Sequence, residues 1–131
     1  MDIKIKGEWY FQYDNGPILG PLLNAMTADG LTKLAERFAT LSSPFVVMGD
    51  AGGEIFRKQV GAVIQSGAIC RFRVTMGLSE GNDDYTWIAL YSDATAAAGS
   101  GTKINELTET FSKTALQVLN AECKFTMQQG V

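Results

Sequence analysis

The stretch Ile69-Cys70-Arg71-Phe72-Arg73-Val74-Thr75-Met76 decides the fold class. Cys70, Phe72, Val74 and Met76 alternate with Ile69, Arg71, Arg73 and Thr75. Successive side chains of a strand point to opposite faces, so one face of this strand meets a core and the other largely meets water. A second stretch repeats the pattern, with Leu119, Ala121, Cys123, Phe125 and Met127 alternating with Asn120, Glu122, Lys124 and Thr126. In both, a cysteine on the apolar face stands two residues before a phenylalanine, a match that pairing within one sheet would account for.

Outward from this strand, Glu80-Gly81-Asn82-Asp83-Asp84 is a polar turn leading into Tyr85-Thr86-Trp87-Ile88-Ala89-Leu90-Tyr91, which is apolar on both faces. A β-hairpin linking the two strands is the economical expectation. Upstream, Phe45-Val46-Val47-Met48 is a short buried strand. The loop Gly49-Asp50-Ala51-Gly52-Gly53 follows, and Glu54 to Ile64 reads as one further strand carrying Ile55, Phe56, Val60 and Val63. Ala94 to Gly101 is built of small residues with little to bury and is expected to be a mobile surface loop.

One helix is expected. Leu31, Leu34, Ala35, Phe38 and Leu41 recur at helical spacing, with Thr27 or Asp29 placed to cap the first turn and Ser42-Ser43-Pro44 to end it. Before it, Met1 to Tyr13 holds Ile3 and Ile5 in alternation and then Trp9, Tyr10, Phe11 and Tyr13, a strand-favouring composition. Asp14-Asn15-Gly16-Pro17 and Gly20-Pro21 are breaks. The fold expected is mainly β: an antiparallel β-sandwich or open barrel with one amphipathic helix, at about residues 27–41, packed on it. Residues 1–20 would be an N-terminal strand or arm, and residues 21–131 a single sandwich-like domain.

A chain of 131 residues, 46% hydrophobic and 19% charged, is long enough for one core and far from a disordered composition. Its 11 basic and 14 acidic residues give a net charge of −3, and the cations are scattered, so nucleic acid is not an expected partner. No stretch approaches the ~18 continuous apolar residues of a membrane-spanning helix, and no membrane partner is expected. Met1-Asp2-Ile3-Lys4 opens without a secretion-type apolar run, so synthesis and retention in cytoplasm is the expectation. Cys70 and Cys123 fit neither a disulfide framework nor a zinc pattern and are expected as buried thiols.

Histidine is absent, which removes the commonest proton-transfer group near neutral pH and the commonest metal ligand. Glu80, Asp83 and Asp84 lie close together but lack calcium-loop spacing, and a solvated turn accounts for them. Gly49 to Gly53 lacks the lysine and following helix of a phosphate cradle. No enzymatic activity, cofactor or metal is therefore expected. The aromatic cluster cannot all face one core. Ile3, Ile5, Trp9, Tyr10, Phe11 and Tyr13 are the candidate contacts to other chains, against the alternative of a terminal strand docked on its own sheet.

Asn24-Ala25-Met26-Thr27-Ala28-Asp29-Gly30-Leu31-Thr32-Lys33-Leu34-Ala35 resembles the Asn-x-hydrophobic-Thr-x-x-Gly-Leu-x-x-Leu segment of small bacteriophage tail-fibre and tail-appendage domains. Pro44-Phe45-Val46-Val47-Met48-Gly49-Asp50 is similar to that family's proline-aromatic strand and glycine turn, and Phe56-Arg57-Lys58 to the strand start after it. Phe72-Arg73-Val74 through Glu80, then Trp87-Ile88-Ala89-Leu90-Tyr91, resembles its aromatic-arginine strand, acidic turn and aromatic strand, although Ile88-Ala89 departs from the more usual Glu-Ile-Gly. Spread over residues 24–127, the resemblance implies a structural protein of the virion, made in the bacterial host cytoplasm. Its role would be that of a tail-fibre, baseplate or collar adaptor that attaches virion parts to one another as a homo-oligomer, three copies being the expected number. A capsid decoration or head-fibre base protein is the alternative within the class. A carbohydrate-binding receptor domain stacking sugars on Trp9, Trp87 and Tyr91 is the alternative outside it, and a hydrolase using Glu80 with Asp83 or Asp84 has least support.

Overall fold

A computed structural model describes residues 1–130. The chain runs through β1 (Asp2–Ile5), β2 (Gly7–Gln12), β3 (Ile18–Asn24), α1 (Ala28–Phe38), β4 (Phe45–Asp50), β5 (Gly53–Gln59), β6 (Ala62–Ser66), β7 (Ile69–Met76), β8 (Asp83–Ser92), β9 (Thr102–Lys113) and β10 (Leu119–Gln129). Two four-stranded sheets, ordered β1-β10-β7-β6 and β5-β4-β8-β9, pack face to face as a sandwich. The expected mainly-β sandwich with one helix is the fold observed. Strand pairing is antiparallel throughout except for β1 beside β10, which is parallel.

The two cysteine strands pair directly. Cys70 stands opposite Phe125 and Cys123 opposite Phe72, so the shared sequence pattern is a register fact. Cys70, Phe72, Val74 and Met76 are all buried, and Arg71 and Arg73 reach from the outer face to Glu122 at 2.8 and 2.6 Å. On the inner face, Val74 and Met76 pack with Val46 and Met48 of β4 and Tyr85 of β8. The other half of the same face, holding Cys70, Phe72 and Phe125, is covered by Phe38 of α1, whose ring lies 4.5 Å from that of Phe125 and edge-on to Phe72 at 6.1 Å.

The helix is shorter than the spacing predicts. Thr27 caps it by accepting from the Gly30 N–H at 2.9 Å, and the regular turns stop at Phe38. Thr40 and Leu41 then donate to the carbonyls of Arg37 and Phe38, a tighter closing turn that still delivers Leu41 to the core.

Two connections differ from expectation. The segment from Glu54 to Ile64 is two strands, because Val60 and Gly61 carry the chain from the β4 sheet to the β7 sheet. The Cys70 strand and the Tyr85 strand do not form a hairpin. Residues 77–82 cross between sheets instead, and β8 pairs with β4 and β9. A strand that is apolar on both faces needs cover on both, and β8 has it: Tyr85, Ile88 and Leu90 face the core, while Trp87, Ala89 and Tyr91 lie on the outer side with Phe45 and Val47.

That outer layer is closed by the segment read as a mobile loop. Ala94 is buried, and residues 95–101 are held to β5 by Arg57, which donates to Thr95 O, Ser100 O and Ser100 Oγ at 2.8 to 3.1 Å. Arg57 also pairs with Glu54 at 2.7 Å, with both side chains largely out of water, and lies over the Phe45 and Tyr91 rings. The segment is therefore a pinned cover, however small its side chains.

Candidate interaction surface

Trp9, Tyr10, Phe11 and Tyr13 belong to a hairpin that stands off the sandwich. The strands β2 and β3 pair only with each other, in a two-stranded sheet of their own. Among the described residues, every hydrogen bond and ion pair of residues 8–23 stays within the arm or reaches only Lys6. The base is tied down. Ile5 accepts from Gly130 at 2.6 Å, and the Met26 N–H donates to Gln129 Oε1, so the arm springs from the end of β10.

Cross-strand partners share a face, and the register sorts the arm accordingly. Trp9 faces Leu22 and Phe11 faces Leu19, which makes one face wholly apolar. Glu8 faces Leu23 and Gln12 faces Ile18, and Tyr10 donates to Glu8 at 2.9 Å, so the second face is mixed. That bond, together with Lys6, draws the Glu8 carboxyl below its usual range. Both faces are bare: eight large apolar side chains from Trp9 to Leu23 are between 45% and 75% exposed. At the ~150–250 Å² of a large side chain they present on the order of 800 Å² over the two faces together, so each face alone is of the roughly 300–600 Å² size of the largest, often functional, patch on a typical monomer.

Of the residues singled out in the sequence, the structure separates two from the rest. Ile3 and Ile5 are half-buried in β1, and Ile3 packs on the Cys70 and Phe125 cluster, so both serve the sandwich. Trp9, Tyr10, Phe11 and Tyr13 are on the arm. The boundary at residues 20 and 21 falls inside β3, which runs across the cis Gly20–Pro21 bond. Ile18, Leu19, Leu22 and Leu23 complete the surface, and sequence reasoning missed them because Gly20-Pro21 reads as a break. The signal was present: a proline is tolerated in an edge strand, and four apolar residues flank it.

The other candidate groups are engaged in structure. Trp87 Nε1 donates to Asp50 O at 2.9 Å, while Lys103 lies 5.3 Å from its ring and Gly49 packs against the ring edge. Tyr91 has Arg57 over its ring. Of the three rings weighed for sugar stacking, Trp9 alone is open. Glu80 accepts from Lys58 at 2.7 Å and from the Gly77 N–H at 2.9 Å, and these bonds hold its carboxyl below the ordinary range. Asp84 accepts from Ser112 at 2.6 Å, and Asp83 from the Asp84 N–H. Burial pushes both thiols up, and Cys123 Sγ accepts from Asn105 Nδ2 at 3.2 Å. No group of three or more potential metal ligands occurs among the described residues, and no helix among them is long and apolar enough to cross a membrane.

No protein-family model matches the chain, and no curated protein matches it either. The residues on which the sequence reading rests its family resemblance fall on structural positions: Thr27 caps α1, Phe45 to Asp50 form β4, and Phe72 and Val74 line the core.

Proposed function

We propose that the chain is a structural protein of a bacteriophage virion, a tail-fibre, baseplate or collar adaptor whose β2–β3 arm joins it to further chains. One observation carries the reading: the arm exposes about one partner's share of a standard protein interface, ~800 Å², and leaves the sandwich to present it. Ordering so many apolar side chains toward water is costly unless another surface covers them. Aromatic and leucine anchors on a two-stranded ribbon bury much area for few rotatable bonds, which suits a permanent joint. The phage setting is supported by the motif resemblance over residues 24–127, and with it the homo-oligomer of three chains.

The test uses the pairing of Gly7 with Asn24 at the arm's base. Replacing residues 8–23 by an Asn-Gly turn closes the hairpin without disturbing β1 or α1. In multi-angle light scattering the whole chain is expected at three times its 14.2 kDa chain mass and the shortened chain at the mass of one shortened chain. An oligomer mass untouched by the deletion would remove the arm as the joint.

A further inference from the structure

The two faces of the arm are unequal. Trp9 and Leu22 form one rung and Phe11 and Leu19 the next, so one face holds four large apolar side chains and no charged group. Its one polar atom, Trp9 Nε1, belongs to the rung nearer the base, where water can reach it. The opposite face carries Glu8 with its Tyr10 and Lys6 partners, and Gln12, whose Nε2 donates to Gly16 O at 2.8 Å. A ribbon apolar on one side and polar-bearing on the other has an inside and an outside, as a sheet with one face on a core and one in water does. Area then sets the number of arms. The four apolar side chains are 45% to 60% exposed, ~400 Å² per arm and half of what both faces show together. Two arms laid face to face would cover ~800 Å², the scale of a lattice contact, while three would cover ~1,200 Å², where specific interfaces begin.

We infer that the arms of three copies bundle with one another around a common axis, parallel and with their tips together, the Trp9, Phe11, Leu19 and Leu22 faces turned inward. The inference rests on the reading of the arm as the joint and names what covers it: the same face of two further copies. Each rung sets a bulky aromatic side chain on β2 beside a leucine on β3. Around a threefold axis the aromatic edge of one arm meets the leucine edge of the next, large against small, and such head-to-tail contacts close into a ring. Charge does not oppose it. Glu8 lies on the outward face and Asp14 in the tip turn, so identical inner faces approach with no like charges between them. The arm leaves the sandwich where Gly130 bonds Ile5 and Met26 bonds Gln129, so the three sandwiches would flank a stalk made of arms.

Two experiments on the full chain test this. Leu22→Glu puts a charge on the inner face and Leu23→Glu the same charge on the outer one, at neighbouring positions that are 50% and 65% exposed in the lone chain. In multi-angle light scattering Leu22→Glu is expected at the 14.2 kDa single-chain mass and Leu23→Glu at three times it, both with the far-ultraviolet spectrum of the unaltered chain. Asn15→Cys, in a Cys123→Ser background and labelled with pyrene maleimide, reports the tips; Cys70 is buried away from the label. Excimer emission is expected to rise in step with the threefold mass. A threefold mass that survives Leu22→Glu, that is lost in Leu23→Glu, or that comes without excimer emission overturns the bundle. If the deletion of residues 8–23 still gives single chains, the arm stands as the joint and only its seat falls. A whole chain at single-chain mass at every concentration overturns the bundle and the homo-oligomer together.

Discussion

Arg57→Met should be the most damaging single change on the outer side of the β4 sheet. The Arg57 side chain is 5% exposed, that of its partner Glu54 is 15% exposed, and they meet through two bonds of 2.7 Å. Removing the cation strands a carboxylate where water can hardly reach it, a loss of about 3–5 kcal/mol for such pairs. The three bonds that hold Thr95 and Ser100 go with it. Against a total stability of roughly 5–15 kcal/mol this is a large share, and at a urea slope of about 1–3 kcal/mol per molar the midpoint should fall by about 2 M. The assay is urea unfolding at fixed protein concentration followed by tryptophan emission, since Trp87 lies in the same layer. Glu54→Gln alone should cost less, because Arg57 keeps its loop carbonyls. The double variant should be more stable than the two losses added together, because no stranded charge remains. A loss below about 1 kcal/mol for Arg57→Met, or strict additivity, would refute the reasoning.

Gly49→Ala should destabilise by about 1–3 kcal/mol or more, since a Cβ there overlaps the Trp87 ring and the Gly53 carbonyl, whereas Gly52→Ala should be nearly neutral; thermal melts of the two compare them directly. Stability should hold above the ordinary carboxylate value of 4.5 and fall at lower pH. Glu54, Glu80 and Glu122 are each pulled below that value in the folded chain by Arg57, Lys58 and Arg73 respectively, so the stability they add is lost as pH drops through their lowered values. Urea midpoints from pH 7 to pH 2 test it, and a midpoint that rises on acidification contradicts the sign. Arg57→Met should flatten part of that acid limb.

Much of the fold was legible because half-buried strands write their two-residue period plainly. Cys70 to Met76 and Leu119 to Met127 carry it, and even their pairing was visible in the two Cys-x-Phe steps. The period fails where strands are bulged. β9 went unread because Ile104, Leu107 and Phe111 sit three and four residues apart; register shifts between Tyr85 and Trp87 and between Leu90 and Tyr91 break its alternation. The crossover at residues 77–82 was hidden for another reason: a polar turn looks the same whether it closes a hairpin or changes sheets. The aromatic half of the arm stood out by composition. Its second strand, split by Gly20-Pro21, did not, and only the paired register assembles the apolar face.

The central claim is that the arm meets water in a lone chain and is buried when chains associate. In a Trp87→Phe background Trp9 is the sole tryptophan, and its emission reports that surface directly. As protein concentration is raised, the emission should move to shorter wavelength in step with the rise in mass by light scattering. A mass that rises while Trp9 emission stays at its water-exposed position would contradict the account.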